Sequence, residues 1–346
     1  MKKVLLCCVL MIAVVGSLSA GVNFYGSARL GFWYEYTDKT WNNYNNGYDD
    51  TNLELNYFMH GNSRFGANVD LNGVTGKVEL GISPSSVCLR HLYGMLTKGD
   101  FSILVGQTFT GFTVYGDQVY NADQIFINYG LFYDGRLPMV KLGLNNKLYV
   151  MFITPNENDV TGLGGLQTLI PKINLNYVYN CDKIYLAASV GVNMNKYNKN
   201  VNTDQLDDSI LSYAFAVTGK YNLGMLTLFG QFGYSLNAGN YGISTSTASS
   251  IVYNTSKKEF ENTKTVGGFF IIESALANVG VGYLQTCNPL WTDNDTAMSA
   301  FLQKKISLCK NVFFVPEVGL IDNMKDMTGA QEGKKYYAGT KIQADF

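Results

Sequence analysis

Two histidines, His60 and His91, are the only imidazoles among 346 residues. Hydrolysis would need a nucleophile beside a base, or a working pair of carboxylates. His60 falls in the middle of an alternating segment and His91 follows Arg90. Neither belongs to a motif that supplies such partners, so both are expected to be structural. The "GLGG" at 162–165 lacks the lysine of a phosphate-binding loop. The acidic runs "DQLDD" and "DNDT" lack EF-hand spacing and read as solvated loops. Cys88, Cys181, Cys287 and Cys309 form neither a CxxC pair nor a zinc-like cluster. The expectation is therefore no enzyme, no cofactor and no metal site. The charged residues point to other chemistry. All four arginines, Arg29, Arg64, Arg90 and Arg136, precede residue 137. Basic and acidic groups set opposite one another can orient dipolar solutes along a passage, provided that β-structure places them around one.

The elements that would place them start at the N-terminus, "MKKVLLCCVLMIAVVGSLSAGV". Lys2 and Lys3, an apolar run from Val4 to Val15 and small residues from Gly16 to Ala20 read as a signal peptide spanning 1–20, cut after Ala20. The run is too short for a spanning helix. Gly21 at the cut excludes a lipoprotein signal, which needs cysteine there. Without Lys2 and Lys3, 24 basic residues stand against 27 acidic ones, a formal charge of −3, so no nucleic-acid partner is expected. Aromatics make up 14% of the chain, with 24 Tyr, 36 Gly and 6 Pro, as expected of an exported all-β protein.

Alternation of apolar and polar residues recurs in about 16 segments. Ile184, Leu186, Ala188, Val190, Val192 and Met194 oppose Tyr185, Ala187, Ser189, Gly191 and Asn193. The terminal segment sets Tyr336, Ala338, Ile342, Ala344 and Phe346 on one parity, with Lys335, Gly339, Lys341, Gln343 and Asp345 on the other. Connections alternate between tight turns such as Asn72-Gly73 and Asn145-Asn146 and long polar loops. Two unlike rims are the pattern of a transmembrane antiparallel up-and-down β-barrel over 21–346, with short periplasmic turns and long external loops. A lipid-facing sheet must pair every backbone group, so the last segment should close on the first, Val22–Tyr36. Phe24, Tyr34, Tyr36, Tyr177, Tyr179, Tyr221 and Tyr234 fall near strand ends, where rings favour the headgroup boundary.

Arg29, Glu35, Arg64, Asp70, Lys77, Glu79, Lys172, Lys183 and Lys220 share the polar parity of their segments. A basic residue facing lipid at mid-depth costs roughly 2–4 kcal/mol, so these groups are expected to face inward. About 16 strands enclose a lumen too wide for wall side chains to fill, which leaves a water-filled channel. Two segments fit poorly. Tyr149–Thr154 is apolar on both faces, and Phe269 and Ile271 share a parity with Glu273. They are expected to face a plug, a folded-in loop or a neighbouring subunit. Cys181 and Cys309 fall at the inner rim and Cys88 and Cys287 at the outer one, several strands apart within each pair, so four free thiols are expected.

The stretches "VNFYGSARLGFWYE", "SRFGANVDLNGVTGKVELGI" and "LRHLYGMLTKGDFSILVGQTFTGF", together with the terminal Phe346, resemble the general porins of Gram-negative outer membranes. The resemblance covers most of 22–112 and the end of the chain. It implies a trimeric, 16-stranded porin of the outer membrane whose third external loop, here 107–127, folds into the barrel and narrows it. It also implies acidic groups on that loop, here Asp117 and Asp123, opposite a wall cluster of Arg29, Arg64, Lys77 and Arg90. Gln107 stands where the family has a further wall arginine. The loop lacks the family's Pro-Glu-Phe-Gly element and is aromatic instead, with Phe109, Phe112, Tyr115, Tyr120 and Phe126. Those rings either stack on sugars or pack the loop against the wall, and packing is favoured. The function so implied is passive diffusion of small hydrophilic solutes and ions, with outer-membrane lipid around the barrel. Two other readings stay open: a sugar-selective porin, or an adhesin working through external loops such as Asn237–Thr263, whose Ser, Thr and Asn content predicts solvent exposure.

Overall fold

The computed structural model describes residues 21–114, 119–120, 125–157, 166–197 and 208–346. The expected signal segment 1–20 lies outside the described residues, as do Asp117 and Asp123. Sixteen strands form the wall: β1 Gly21–Thr37, β2 Asn52–Met59 continued by Arg64–Leu71, β3 Val74–Ile82, β4 Val87–Lys98, β5 Phe101–Phe109, β6 Arg136–Leu144, β7 Leu148–Ile153, β8 Leu166–Thr168 continued by Lys172–Asn180, β9 Ile184–Tyr197, β10 Asp208–Asn222, β11 Leu226–Leu236, β12 Lys264–Ser274, β13 Asn278–Cys287, β14 Asp295–Gln303 continued by Ile306–Cys309, β15 Val312–Lys325 and β16 Lys334–Asp345. Each pairs antiparallel with its sequence neighbours. The ring closes where β16 pairs with β1, from Ser27 opposite Asp345 to Thr37 opposite Lys335. Gly26 and Phe346 exchange backbone hydrogen bonds of 2.7 and 3.0 Å at that seam, so the terminal residue itself completes the ladder. Closure leaves no strand edge exposed to hydrocarbon.

The turns at one rim take the positive φ that their sequences allow. Asn72 and Gly73 have φ 49 and 89, and Asn145 and Asn146 have φ 55 and 53. These are the two-residue hairpin conformations that match strand twist. At the other rim the first loop carries helix α1, Lys39–Asn46, whose first turn is capped by Asp38 accepting from Trp41 N. The third loop (110–135) carries the short α2, Ile125–Asn128, and the sixth (237–263) carries α3, Ala238–Tyr241.

Alternation sorts side chains as the strand period requires. On β10, Leu211, Phe215 and Val217 face outward and are exposed, while Ser212, Ala214, Ala216 and Thr218 face inward and are buried. The outward faces form an apolar band around the ring, with Tyr34, Tyr36 and Tyr336 toward one rim and Tyr177, Tyr179 and Tyr221 toward the other. A barrel with that surface spans a membrane. Among the described residues no helix is long and apolar enough to do so. The four cysteines of the described chain are free thiols, on β4, in the β8–β9 turn and at the ends of β13 and β14.

Of the two misfit segments, the one on β12 faces a folded-in loop, whereas the one on β7 packs against neighbouring wall strands. Met151 and Ile153 of β7 form an inward satellite core with Leu104 and Met139. Phe269 and Ile271 of β12 pack against the third loop, where Phe126 stacks on Phe269 at 5.4 Å between ring centroids.

Candidate functional site: the lumen wall and its folded-in loops

The inward parity of β1 to β4 brings most of the expected basic cluster together around one carboxylate. Gly66 opposes Glu79 and Asn68 opposes Lys77 across the β2–β3 pair, which sets Arg64, Lys77 and Glu79 on the same side. Glu79 is 3% exposed. Arg90 Nε donates to Glu79 Oε1 at 2.7 Å, and Tyr25 OH donates to Oε2 at 2.7 Å. Lys77 Nζ lies 3.6 Å from Oε2 and 5.3 Å from the centre of the Tyr25 ring. Arg90 Nη1 also donates to Asn62 Oδ1 at 2.8 Å. Arg29 is buried beside Ser27, whose Oγ accepts from Nε at 2.9 Å.

Two irregularities create this arrangement. The β3–β4 register slips after Glu79, which pairs with His91 while Leu80 pairs with Leu89. The extra residue is Arg90, so a bulge turns both Arg90 and His91 inward, as bulges commonly do when they re-aim a side chain. The sequence carries the signal, because the apolar positions Leu89 and Leu92 are three apart where strict alternation needs two. The second irregularity breaks β2 at residues 60–63. There His60 N donates to Arg29 O at 2.9 Å and Ser63 N to His60 O at 2.9 Å. His60, expected in mid-strand, is instead a fully buried residue of this turn.

Gln107 departs from expectation. It pairs with Leu92 and Pro138, both on the outward face, and its amide donates to Leu89 O at 2.9 Å. Even-numbered residues of β5 point inward, so Gln107 falls on the lipid parity and leaves the cluster. Glu79, Tyr25 and Asn62 take part in it without having been singled out as site residues.

The third loop crosses the lumen and lines much of the opposite wall. At its root Gly111 O accepts from Ser189 Oγ at 2.6 Å on β9. Farther along, Val119 N donates to Glu317 Oε2 at 2.8 Å and Tyr120 N to Glu317 Oε1 at 3.1 Å. Glu317, on β15, is 2% exposed and also accepts from Tyr337 OH at 3.1 Å. His60 Nε2 lies 2.9 Å from Val119 O, so the Val119 peptide is held from both sides. Tyr120 stacks on Tyr337 at 3.9 Å and meets Trp33 edge-on at 5.2 Å. The returning stretch lies against β15 to β11: Phe126 packs on Phe301, Tyr129 OH donates to Asn323 Oδ1 at 3.0 Å, and Phe132 N donates to Gln231 Oε1 at 2.7 Å. Gly130 has φ +112, and a Cβ there would collide with the backbone oxygens of Gly268 and Tyr283. The loop therefore touches the wall backbone itself. The described aromatic rings of this loop pack rather than project.

The sixth loop also departs from its expected exposure. Ala238, Asn240, Tyr241, Ile243, Thr247, Ser249 and Ile251 are buried. Apolar residues scattered through the polar sequence supply the anchors, and the polar ones find partners. The tip of the hairpin of Val252–Asn254 and Glu259–Glu261 stands toward solvent, and there Lys257 pairs with Glu261 at 2.9 Å.

These features define the class: a closed 16-stranded antiparallel barrel with the architecture of outer-membrane porins and a long third loop folded inward. Solved structures agree on the fold. The outer membrane channel DcaP of Acinetobacter baumannii matches with a TM-score of 0.72 at 17% identity, over 94% of this chain and 97% of that one. OmpF of Salmonella typhi, solved with daunomycin, matches at 0.61 and 13% identity over 94% and 97%. A loop L8 deletion mutant of OmpT, an outer membrane protein of Vibrio cholerae, matches at 0.60 and 14% identity over 95% and 100%. No family model matches the sequence, and no curated protein does.

Proposed function

We propose that this protein is an outer-membrane porin that lets small hydrophilic solutes and ions diffuse passively through a water-filled lumen. The observation that carries the reading is the inward pairing of Lys77 and Arg90 with Glu79, with Arg64 on the same face and Arg29 buried on the neighbouring strand, inside a barrel whose outer surface is apolar. A net positive wall opposite a folded-in loop creates a transverse field that orients dipolar solutes and disfavours apolar ones. The third loop narrows the passage, and Asp117 and Asp123 supply the acidic side of the field. Removal of residues 1–20 after export, residence in a Gram-negative outer membrane and assembly as a homotrimer belong to the same reading. It is supported by the barrel's likeness to porin channels and by OmpT of Vibrio cholerae, which has been solved in a trimer form. No step in this function needs an enzymatic group or a cofactor.

Purified protein in planar bilayers tests the reading. Stepwise conductance that saturates with neither salt nor voltage is expected, and a preparation that inserts but passes no current sinks it.

A further inference from the structure

The end of the third loop and the sixth loop meet at a buried ion pair. Lys172, the first residue of the second part of β8, is 1% exposed. Its Nζ donates to Asp134 Oδ1 at 2.7 Å and to Tyr241 O at 3.1 Å, and sits 4.7 Å from the centre of the Tyr241 ring. One ammonium thus ties together a wall strand, the third loop and the sixth. Taking both charges out of water is unfavourable unless they are paired and further hydrogen-bonded, so their burial demands the covering loop. The Tyr241 ring meets Phe112 edge-on at 5.5 Å and shares a core with Phe132, Ala238 and Ile243. Ser244 N donates to Tyr133 O at 3.1 Å, and both Ser246 N and Ser246 Oγ donate to Asn128 O at 3.0 and 2.7 Å. The fourth loop joins through Asn156, whose Nδ2 donates to Gly239 O at 2.8 Å.

We propose that residues 238–251 are a second constricting element, a strap seated on the third loop, and that Tyr241 and the Lys172–Asp134 pair are its positioning residues. The inference rests on the channel reading above and deepens it: the size limit for solutes is set by two loops acting as one body. The strap covers the inward faces of β9, β10 and β13, where Asn193, Ala214 and Thr286 are fully buried. The passage is thereby displaced toward the charged wall of β1 to β4. Substances that pass are small polar solutes able to move along that wall.

The test uses the full processed protein in planar bilayers, with single-channel conductance and the smallest polyethylene glycol excluded from the pore as readouts. Tyr241→Ala, and separately replacement of residues 244–250 by a short Gly-Ser linker, are expected to raise conductance by about twofold and to admit larger polymers, because both widen the passage. Tyr241→Phe keeps the ring and is expected to match the wild type in both readouts. Folding is checked in the same samples by heat-modifiable gel mobility. Should Tyr241→Ala fail to assemble, the linker variant, which alters no strand, decides. Folded variants with wild-type conductance and an unchanged polymer limit overturn the strap while leaving the channel reading intact. A wild type that passes no current overturns both.

Discussion

The two halves of the inner wall are built on opposite logics. From β1 to β4 the wall carries its own chemistry: basic groups gathered on Glu79 by a bulge in β4 and a break in β2. From β9 to β16 the wall is mostly apolar, small or buried, and its chemistry is supplied by the loops that lie on it. Phe269, Ile271 and Phe301 would be misplaced beside water, and they are covered by Phe126. Inward parity alone therefore does not mean contact with water. It means contact with whatever fills that side of the barrel, and the identity of the inward residues reports which it is. A charged inward stripe marks an open wall, whereas an apolar one marks a docked segment.

The largest effect should come from Glu317, the side chain that accepts from two backbone amides of the docked loop at once. Glu317→Ala removes the carboxylate to which the amides of Val119 and Tyr120 and the Tyr337 hydroxyl donate. Each buried donor left unsatisfied costs about 1–3 kcal/mol, so a loss of about 4 kcal/mol is expected in urea unfolding from lipid vesicles. Noisier single-channel current should accompany it as the third loop detaches. Glu317→Gln, which keeps an acceptor, should recover part of both. Unchanged stability in Glu317→Ala would remove the distinction between the halves.

A smaller effect is expected on the charged half, where contacts are shared. Arg90→Gln removes one of the groups around Glu79 but leaves Tyr25 and Lys77 in place. The expected loss is about 2 kcal/mol, the value of a hydrogen bond to a charged group. The sharper readout is reversal potential in a salt gradient, which should move toward cation preference as wall charge falls. Gln107→Ala is the matched control: on the lipid parity it should shift stability by under about 0.5 kcal/mol and the reversal potential not at all. A shift in reversal potential from Gln107→Ala would show that Gln107 does face the lumen.

How far the sequence could be read follows the same division. Strand positions and closure of the last strand on the first were legible because period-2 alternation is a local signal, and Asn-Gly and Asn-Asn turns fix where it restarts. The inward direction of Arg29, Arg64 and Lys77 was legible for the same reason. Gln107 was misplaced because matching it to a family position ignored its parity with Val105 and Ile103. Arg90 was placed inward without its cause, since the bulge shows only as the spacing of Leu89 and Leu92. The docking of the loops was not legible. It depends on contacts between residues far apart in sequence, such as Val119 with Glu317, and no local period encodes them. Composition misled at the sixth loop, where Ser, Thr and Asn satisfy one another and the third loop rather than water. The apolar misfit on β12 was the readable trace of that docking.

The smallest expected effect lies at the outer rim, where the first and eighth loops bridge the two halves across the β16–β1 seam. Tyr44 OH of α1 donates to Asp326 Oδ2 at 3.0 Å. Glu332, in the eighth loop, is half-buried near Asp295 and Asp326. Burial first, and repulsion from those two carboxylates second, push its carboxyl up from the ordinary value to about 7. A carboxyl raised in the folded state takes up a proton more readily there than in an opened loop. Its contribution is thus fully present below the ordinary carboxylate range and is lost as pH rises through about 7. The contact between the two loops should therefore loosen between about pH 5 and 8, seen as faster amide hydrogen exchange at residues 326–333 after correction for the intrinsic rate. Glu332→Gln should hold the low-pH protection across that range. Protection that instead grows with pH would place Glu332 among stabilising charges and give the rim the ion-paired character of the β1–β4 wall.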